Sequence, residues 1–516
     1  MPQILAIDQG TTNSKAILVD ESGRVVARGS APVEQRYPQP GWVESDAEAL
    51  WAGVTVAVDL CLAAAGESVD LAAVAVTNQR ESTVAWDRAT GRPAGSVISW
   101  QCRRTAALCE EVRAAGLAPM IEARTGLPLD PLSSATKFRW LLDEHDPDRV
   151  RSGAGDLCVG TVDSWLLWNL TGGEVFATDA SNASRTQLFD IDRRAWDDEL
   201  LAAFRVPRAV LAEVRPSNAR FGLTRQLGRL PAGIPVAAIM GDSHAALFGH
   251  GAVGAGATKA TYGTGTSLMC VTPELRRSSH GLSGTIAWAL ADPADDRSLA
   301  NTTYALEGNI SVSGMAVRWM GEILGLADPD SELAELASSV ADNGQVYFVP
   351  AFVGLGAPRW EPDARGVIVG LTRGAGRAHL ARACFEAIAY QVRDVFDALA
   401  DDLGTPPDML LADGGASQSD LLMQIQADLL ARPVQRNQTA ELSALGVAHM
   451  AGLAVGLWDS VAALSSRPNP ANRFEPKLAP RAREAGYQGW LAAVERAGAR
   501  GGTSDRRQPL APAVRT

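Results

Sequence analysis

The sequence predicts an α/β protein built from two related domains. The chain has 516 residues, which is more than one hydrophobic core usually organises. Apolar runs typical of strands alternate with helical stretches, and this mixture indicates an α/β architecture. An arrangement of strand, Gly-Thr tip and strand also occurs twice, as ILAIDQGTTNSKAILVD from residue 4 and as GATKATYGTGTSLMCVT from residue 256. The recurrence predicts that the two halves share a fold.

The predicted elements follow one another in a simple order. The first thirty residues predict three strands, joined by the first tip and by an ESG turn. The stretch AEALWAGVTVAVDLCLAAAG predicts a helix, and AAVAVTN and GDLCVGTVD predict two further strands. We expect domains at residues 1–249 and 250–465. Residues 466–516 should then form a wrapping segment, one last helix in EAGYQGWLAAVERA and a disordered tail.

Composition excludes several classes of protein. Hydrophobic residues make up 46% of the chain, charged residues 21%, and the formal net charge is −12. Such a balance disfavours nucleic acid or an anionic membrane surface as the main partner. The six cysteines form no CxxC pair, so neither a zinc site nor a disulfide framework is indicated. With no leader-like start and no uncharged apolar run of about 20 residues, we expect a cytoplasmic protein.

Two familiar phosphate-binding motifs do not explain the tips. The Walker A pattern GxxxxGK[ST] is absent from the sequence. The segment GHGAVG, at residues 249–254, matches GxGxxG, but it follows the helical SHAALF and no acidic residue stands about 20 positions later. We therefore interpret GHGAVG as a turn between the domains.

The two Gly-Thr tips themselves carry the groups that a triphosphate needs. The first tip supplies a carboxylate, three hydroxyl donors and a cation, namely Asp8, Thr11, Thr12, Ser14 and Lys15. The second tip adds the hydroxyls of Thr264 and Thr266. Hydroxyls and glycine-rich backbone can hold phosphate oxygens, while a carboxylate can hold magnesium. Either tip alone is more simply an ordinary turn, but one in each half predicts two loops facing each other across a cleft.

An ordered series of motifs resembles the FGGY carbohydrate kinases and, within them, the glycerol kinases. The motifs are DQGTT, NQRE, WQCRRTA, GTVDSWLLW, TDASNASRT, TYGTG, YALEG, GLGAPRW and DGGA, spread from residue 4 to about residue 490. The resemblance implies two actin/ribonuclease-H-like ATPase domains with a catalytic cleft between them. It also implies ATP and magnesium, a polyol phosphate as product, and a homo-oligomer, dimer or tetramer, as is common among relatives.

The resemblance implies roles for four residues that would handle the acceptor. Asp242, in MGDSH, matches the catalytic base, although a helix N-cap would also explain it. Arg80 and Glu81 match a pair that hydrogen-bonds polyol hydroxyls; the alternative is a surface ion pair. Trp100 matches an aromatic residue that packs against the polyol carbons; the alternative is a core tryptophan.

The resemblance also implies a nucleotide site. Asp8 matches the acid that organises magnesium. Residues that match or adjoin the phosphate loops and the adenosine region are Thr11, Thr12, Ser14, Lys15, Thr264, Gly314, Gly414, Gly415 and Ala416.

The acceptor pocket departs from the glycerol kinase pattern. Glycerol kinases typically read DPYFS, GDQQ and a phenylalanine after YGTGC, where this chain has Leu132, the pair Ser243 and His244, and Ser267. The first change removes a phenol and the last removes a large apolar wall. Glycerol is the expected acceptor, but a tetritol, a pentitol or a ketose stays open. A second alternative is an actin-like or chaperone-like ATPase without a small-molecule acceptor.

His244 and Gly233 raise separate questions about catalysis and regulation. His244 either contacts a substrate hydroxyl, tunes Asp242, or simply faces inward. Gly233 stands where bacterial glycerol kinases inhibited by fructose 1,6-bisphosphate carry an arginine, so we expect no such inhibition here.

Overall fold

The structure is a computed structural model that describes residues 1–66, 69–465 and 471–498. The tail predicted to be disordered, from residue 499, lies outside the described residues, as does the start of the predicted wrapping segment at residues 466–470.

The first half of the chain, up to residue 249, contains fourteen described strands and nine described α-helices. The strands are β1 (Pro2–Gln9), β2 (Asn13–Val19), β3 (Val25–Pro32), β4 (Glu44–Ser45), β5 (Asp70–Asn78), β6 (Thr83–Asp87), β7 (Val97–Ile98), β8 (Leu157–Thr161), β9 (Ala177–Asp179), β10 (Phe189–Asp190), β11 (Ala195–Trp196), β12 (Glu213–Arg215), β13 (Gly222–Leu223) and β14 (Pro235–Gly241). The helices are α1 (Ala47–Ala65), α2 (Ala106–Ala114), α3 (Ala118–Thr125), α4 (Ser134–His145), α5 (Val150–Ala154), α6 (Val162–Leu170), α7 (Ala180–Ala183), α8 (Asp198–Ala203) and α9 (Asp242–Gly249).

The second half follows the turn after α9. Its described strands are β15 (Thr258–Tyr262), β16 (Thr266–Thr272), β17 (Ser283–Leu290), β18 (Asn301–Ile310), β19 (Tyr347–Val349), β20 (Val367–Val369), β21 (Leu410–Asp413), β22 (Val434–Asn437) and β23 (Ala471–Phe474). Its described helices are α10 (Gly314–Ile323), α11 (Pro329–Ser338), α12 (Arg377–Leu403), α13 (Asp420–Leu430), α14 (Leu442–Ala454), α15 (Val461–Ser465) and α16 (Pro480–Gly498).

The two main sheets repeat one topology. The first sheet has the order β13-β14-β5-β1-β2-β3, and the second has the order β17-β18-β16-β15-β21-β22-β23. In each, three neighbouring antiparallel strands, β1-β2-β3 and β15-β16-β18, are extended by two parallel strands: β5 beside β1 with β14 beside β5, and β21 beside β15 with β22 beside β21. The expected pair of actin/ribonuclease-H-like domains is therefore confirmed, and the repeat covers five strands rather than the tips alone.

Strand register brings distant segments to one edge of the first sheet. Asp8 on β1 lies beside Thr77 on β5, and Gly241 at the end of β14 lies beside Asn78. Because these three strands run parallel, their carboxyl ends open at the same edge. The residues that follow β5 and β14 therefore meet the first tip.

Helix α1 covers one face of the first sheet. By length and composition alone it could cross a membrane, the one such helix of 18 or more residues in the part of the chain described here. Val54, Val58 and Cys61 are nevertheless fully buried in a core shared with β2 and β3. Gly29 of β3 permits this packing, because a Cβ there would stand 2.0 Å from the Ala57 carbonyl oxygen.

The halves touch through α9 and α14. A Cβ on Gly446 would stand 1.8 Å from the carbonyl oxygen of Ala245, and one on Gly249 would stand 2.5 Å from that of Leu442. The two helices therefore approach backbone to backbone. The GHGAVG segment begins at the last residue of α9 and turns into the second half, as the sequence predicts.

The C-terminal segment packs on the second half. Strand β23 pairs antiparallel with β22. The predicted last helix is confirmed as α16, which buries Trp490.

Candidate active site

Asp242 opens helix α9 at the edge where the parallel strands end. Gly241 is the N-cap residue and Asp242 is the first helical residue, so the N-cap alternative is wrong by one position. Oδ1 of Asp242 accepts a hydrogen bond from the Ser243 backbone N–H at 2.6 Å. Burial raises the pKa of Asp242 above its ordinary value although Arg80 lowers it, and a raised pKa makes a carboxylate a stronger base near neutral pH.

Arg80 and Glu81 lie beside Asp242 and are buried, which contradicts the alternative of a surface ion pair. Arg80 Nε lies 3.2 Å from Oδ1 of Asp242, and Arg80 Nη2 lies 2.7 Å from Oε1 of Glu307. Arg185 Nε donates to Oε1 of Glu81 at 2.7 Å, and its Nη1 lies 3.0 Å from Oε2 of Glu307. Glu81 has a φ of 60°, an uncommon backbone conformation for a non-glycine residue.

Sequence reasoning missed Arg185 and Glu307. Both residues lie inside motifs that resemble the FGGY family, TDASNASRT and YALEG, but the sequence assigned no role to either of them. The only signal was a charge in an apolar setting, since Glu307 follows Ala305 and Leu306 in β18. Burial would raise the pKa of Glu307, but Arg185 and Arg80 outweigh it and hold that pKa well below its usual range.

Trp100 connects the acceptor side with the first phosphate tip. Its indole Nε1 donates to Oγ1 of Thr11 at 3.0 Å, and its backbone N–H donates to Oγ of Ser82 at 3.0 Å. The side chain is half-buried, so Trp100 is not an ordinary core tryptophan. An indole in this position can pack against carbon atoms while its N–H fixes the phosphate tip.

Leu132 is half-buried on the loop before α4. A fully buried lysine supports this loop: Lys137 Nζ donates to the carbonyl oxygens of Leu132 and Ser133 at 2.5 and 3.1 Å. Burial lowers the pKa of Lys137 to about 8.

Two residues that replace the usual pattern, Ser267 and His244, contact side chains of the second half. Ser267 Oγ donates to Oε1 of Glu307 at 2.7 Å. His244 is fully buried, its Nε2 lies 3.3 Å from Oγ1 of Thr285, and burial lowers its pKa well below its ordinary value. The structure favours the inward-facing alternative for His244, whose Nδ1 is buried and has no hydrogen-bond partner among the described residues, and its assignment to substrate binding stays a prediction. Its neighbour Ser243 is also buried, with 8% of its surface exposed.

Only some of the first-tip residues that were predicted to bind phosphate are accessible. Thr12 is exposed, and Thr11 and Lys15 are half-buried. Ser14 is fully buried, and a Cβ on Gly53 of α1 would stand 3.7 Å from its hydroxyl oxygen. Since side chains alternate along β2, Ser14 faces α1 and Lys15 faces the opposite side. The assignment of Ser14 to the nucleotide is therefore corrected.

The second tip is surrounded by glycine. Gly314 N donates to the Gly263 carbonyl oxygen at 3.0 Å, and a Cβ on Gly314 would stand 2.7 Å from that oxygen. Gly414 has a φ of 92°, and a Cβ there would stand 2.6 Å from the Tyr262 carbonyl oxygen. Glycine thus lets the start of α10 and the 3₁₀ turn Gly415–Gln418 lie against the tip that carries the exposed Thr264. The structure brings Gly314, Gly414, Gly415, Ala416 and Thr264 together.

Asp8 fits the role of a magnesium ligand. Burial, together with the carboxylates of Asp242 and Glu441, raises its pKa to about 7, against the lowering effect of Lys15. A divalent cation would relieve this concentration of negative charge. Among the described residues no cluster of three metal-ligating side chains exists. The site therefore suits an ion that takes its other ligands from phosphate and water, as magnesium commonly does.

Comparisons with known proteins agree with this geometry. Residues 3–249 match the N-terminal domain of the FGGY family of carbohydrate kinases, and residues 258–455 match its C-terminal domain. The chain is 46% identical to a glycerol kinase of Shewanella pealeana over 96% of this chain and 99% of that protein. It is 47% identical to a glycerol kinase of Symbiobacterium thermophilum over 96% and 98%. The crystal structure of Plasmodium falciparum glycerol kinase with ADP superposes with a TM-score of 0.88, at 32% identity, over 96% and 98% of the two chains.

Proposed function

The chain belongs to the FGGY family of carbohydrate kinases, and we propose that it transfers the γ-phosphoryl group of ATP to a primary hydroxyl of glycerol, giving sn-glycerol 3-phosphate. One observation supports this most directly: Asp242, Arg80 and Glu81 meet at the strand edge that also carries the first phosphate tip. The near full-length relatives named glycerol kinase favour glycerol over a longer polyol, a ketose or no acceptor.

In the proposed mechanism, Asp242 acts as general base. Its carboxylate takes the proton from the attacking hydroxyl while the oxygen forms a bond to the γ-phosphorus. The bond between that phosphorus and the bridging oxygen breaks, and ADP leaves with the electron pair. Arg80 Nη1 is buried and has no hydrogen-bond partner in the described part of the chain, so it is available to a neighbouring acceptor hydroxyl. Trp100 would cover the acceptor carbons.

The two tips would hold the nucleotide. Thr11, Thr12 and Lys15 would bind phosphate from one side and Thr264 from the other. The glycines at the start of α10 and in the turn after β21 would let the adenosine lie close to the backbone. Asp8 would help to hold the magnesium that accompanies ATP, and the ion would neutralise phosphate charge.

The domain boundaries, the cellular compartment and the oligomeric state are also proposals. We place domain boundaries at residues 1–249 and 250–465 with 466–516 appended, supported by the two family matches. All six cysteines are buried and unpaired, which suits the reducing cytoplasm. A homo-oligomer is proposed by analogy with the family alone.

Acceptor-dependent ADP release tests the proposal. The purified protein is assayed with MgATP and glycerol, erythritol, xylitol, xylulose or no acceptor. We expect glycerol to give the highest kcat/KM and turnover without acceptor to be a small fraction of it. A longer acceptor with a higher kcat/KM would replace glycerol as the substrate. Turnover that no acceptor stimulates would contradict the kinase itself.

A further inference from the structure

Five side chains of alternating charge form a continuous line behind the acceptor site. The order is Glu81, Arg185, Glu307, Arg80 and Asp242, with successive contacts of 2.7, 3.0, 2.7 and 3.2 Å. The first four side chains are between 0 and 7% exposed. Charges buried to this degree are stable only when paired, so each arginine depends on carboxylates on both of its sides.

Glu307 is the one member of this line that comes from the second half. It lies on β18, where it pairs with Met269 of β16 and Ser283 of β17. Ser267, also from the second half, donates to its Oε1 at 2.7 Å. Arg80 and Arg185 belong to the first half. Glu307 therefore connects the second sheet to Arg80 directly and to Glu81 through Arg185.

The contacts decide which acceptor-binding atoms remain available. Glu307 engages Nη2 of Arg80, so the guanidinium meets Asp242 through Nε alone and keeps Nη1 unpartnered among the described residues. Arg185 engages Oε1 of Glu81, and no described residue hydrogen-bonds its Oε2. Without Glu307, Arg80 would be free to turn and pair with Asp242 through two nitrogens, which is the favoured geometry of an arginine and a carboxylate. Such pairing would occupy both the base and the donor.

We propose that Glu307 and Arg185 are positioning residues that hold Arg80 and Glu81 in their acceptor-binding rotamers, so that the acceptor site is complete only when the second half is seated against the first. This inference rests on the proposed kinase function. The two residues act through Arg80 and Glu81 and do not bind the nucleotide. Loss of either should therefore impair acceptor use selectively.

The test compares Glu307→Gln with Glu386→Gln. Glu386 is also a buried carboxylate paired with an arginine, since Arg382 Nε lies 2.7 Å from it and Asn343 donates to it at 2.8 Å, but it lies within the second half on α12. We expect Glu307→Gln to raise the KM for glycerol by about tenfold or more while the KM for ATP stays within about twofold. Glu386→Gln should change neither KM. Glu307→Asp, which keeps the charge, should recover part of the lost kcat/KM.

Two milder variants keep the proposal testable if Glu307→Gln does not fold. Arg185→Lys keeps a cation but loses the fork that joins two carboxylates, and Ser267→Ala removes only the hydrogen bond to Glu307. Both should raise the KM for glycerol more than that for ATP. Equal changes in both KM values, or a lowered melting temperature with unchanged KM values, would overturn the positioning role. An inactive wild-type protein would instead overturn the proposed function.

Discussion

Asp242 and Arg80 are in direct contact, with Oδ1 of the carboxylate 3.2 Å from Nε of the guanidinium. The guanidinium favours the ionised carboxylate, whereas the partial burial of Asp242, whose side chain is 37% exposed, favours the neutral one, and the balance raises its pKa. The position of the proposed base therefore depends on the proposed acceptor ligand, and the reverse also holds. Substituting either residue should lower kcat more than it lowers the affinity for the nucleotide.

Replacing Asp242 by asparagine should nearly abolish transfer. The amide keeps the shape of the side chain but cannot accept the hydroxyl proton, so we expect kcat to fall by about 10²- to 10⁴-fold. Affinity for ADP should stay within about twofold, because Asp242 lies on the acceptor side. Steady-state kinetics and calorimetric titration with ADP measure the two quantities. Turnover near that of the wild type would rule out the base role.

The pH dependence of kcat/KM for glycerol should show an acid limb above the ordinary aspartate pKa of about 3.9. The base must be ionised to act, and burial raises the pKa of Asp242, so activity is lost as the pH falls through this raised value. Arg80 and Lys259 lower the pKa of Asp242 and Glu81 raises it. The carboxylate of Asp8 also interacts with that of Asp242.

The profile is best measured at saturating MgATP, where magnesium should keep Asp8 ionised. Circular dichroism at each pH should confirm that the protein stays folded. A limb at or below pH 4 would show that burial does not control the base.

Leu132→Tyr should restore a phenol that glycerol kinases typically place here. The hydroxyl would add a polar contact and narrow the pocket, so we expect the KM for glycerol to fall severalfold and the KM for xylitol to rise. Leu132→Phe is the matched control, since it adds the ring without the hydroxyl. An equal effect of both variants would assign the change to volume alone.

Fructose 1,6-bisphosphate should not inhibit the enzyme at millimolar concentration. Gly233 is exposed, has a φ of 88° and has no atom within 4 Å of the position a Cβ would take, so nothing at this residue offers a bisphosphate the bidentate partner that arginine supplies. Initial rates against effector concentration give the answer. Dose-dependent inhibition would place an effector site elsewhere on the protein.

Gly446→Ala should destabilise the protein by about 1–3 kcal/mol, because the new methyl group would stand 1.8 Å from the Ala245 carbonyl oxygen and would push α9 and α14 apart. Gly254→Ala is the control, since a Cβ there meets no atom within 4 Å and its φ is not positive. Urea unfolding measures both. A Gly446→Ala variant as stable as the control would mean that the helices separate without cost.

Local features of the fold were predictable because short-range sequence determines them. The Gly-Thr tips, the strands on either side and α1 follow from apolar periodicity and turn residues. The parallel pairing of β5 with β1 and with β14 was not predictable in this way, since it joins segments far apart in the chain. The same reason hid Glu307 and Arg185, whose meaning depends on a contact between the two halves.

The error at Ser14 was local and did not involve a contact between distant segments. The sequence was interpreted as a turn as far as Lys15, so every hydroxyl was assigned to phosphate. Strand β2 already begins at Asn13, and period-two alternation then places Ser14 and Lys15 on opposite faces. Placing the strand boundary three residues earlier would have given the correct prediction.

The backbone contact between α9 and α14 bears on how acceptor choice can diverge during evolution. At Gly446 no side chain separates the two helices, so their spacing requires glycine at this one position. Leu132 and Ser267 belong to neither helix, so substitutions there leave the residues of that contact unchanged. A lineage could therefore explore new acceptors by single substitutions while inheriting the distance between the base and the phosphate loops unchanged.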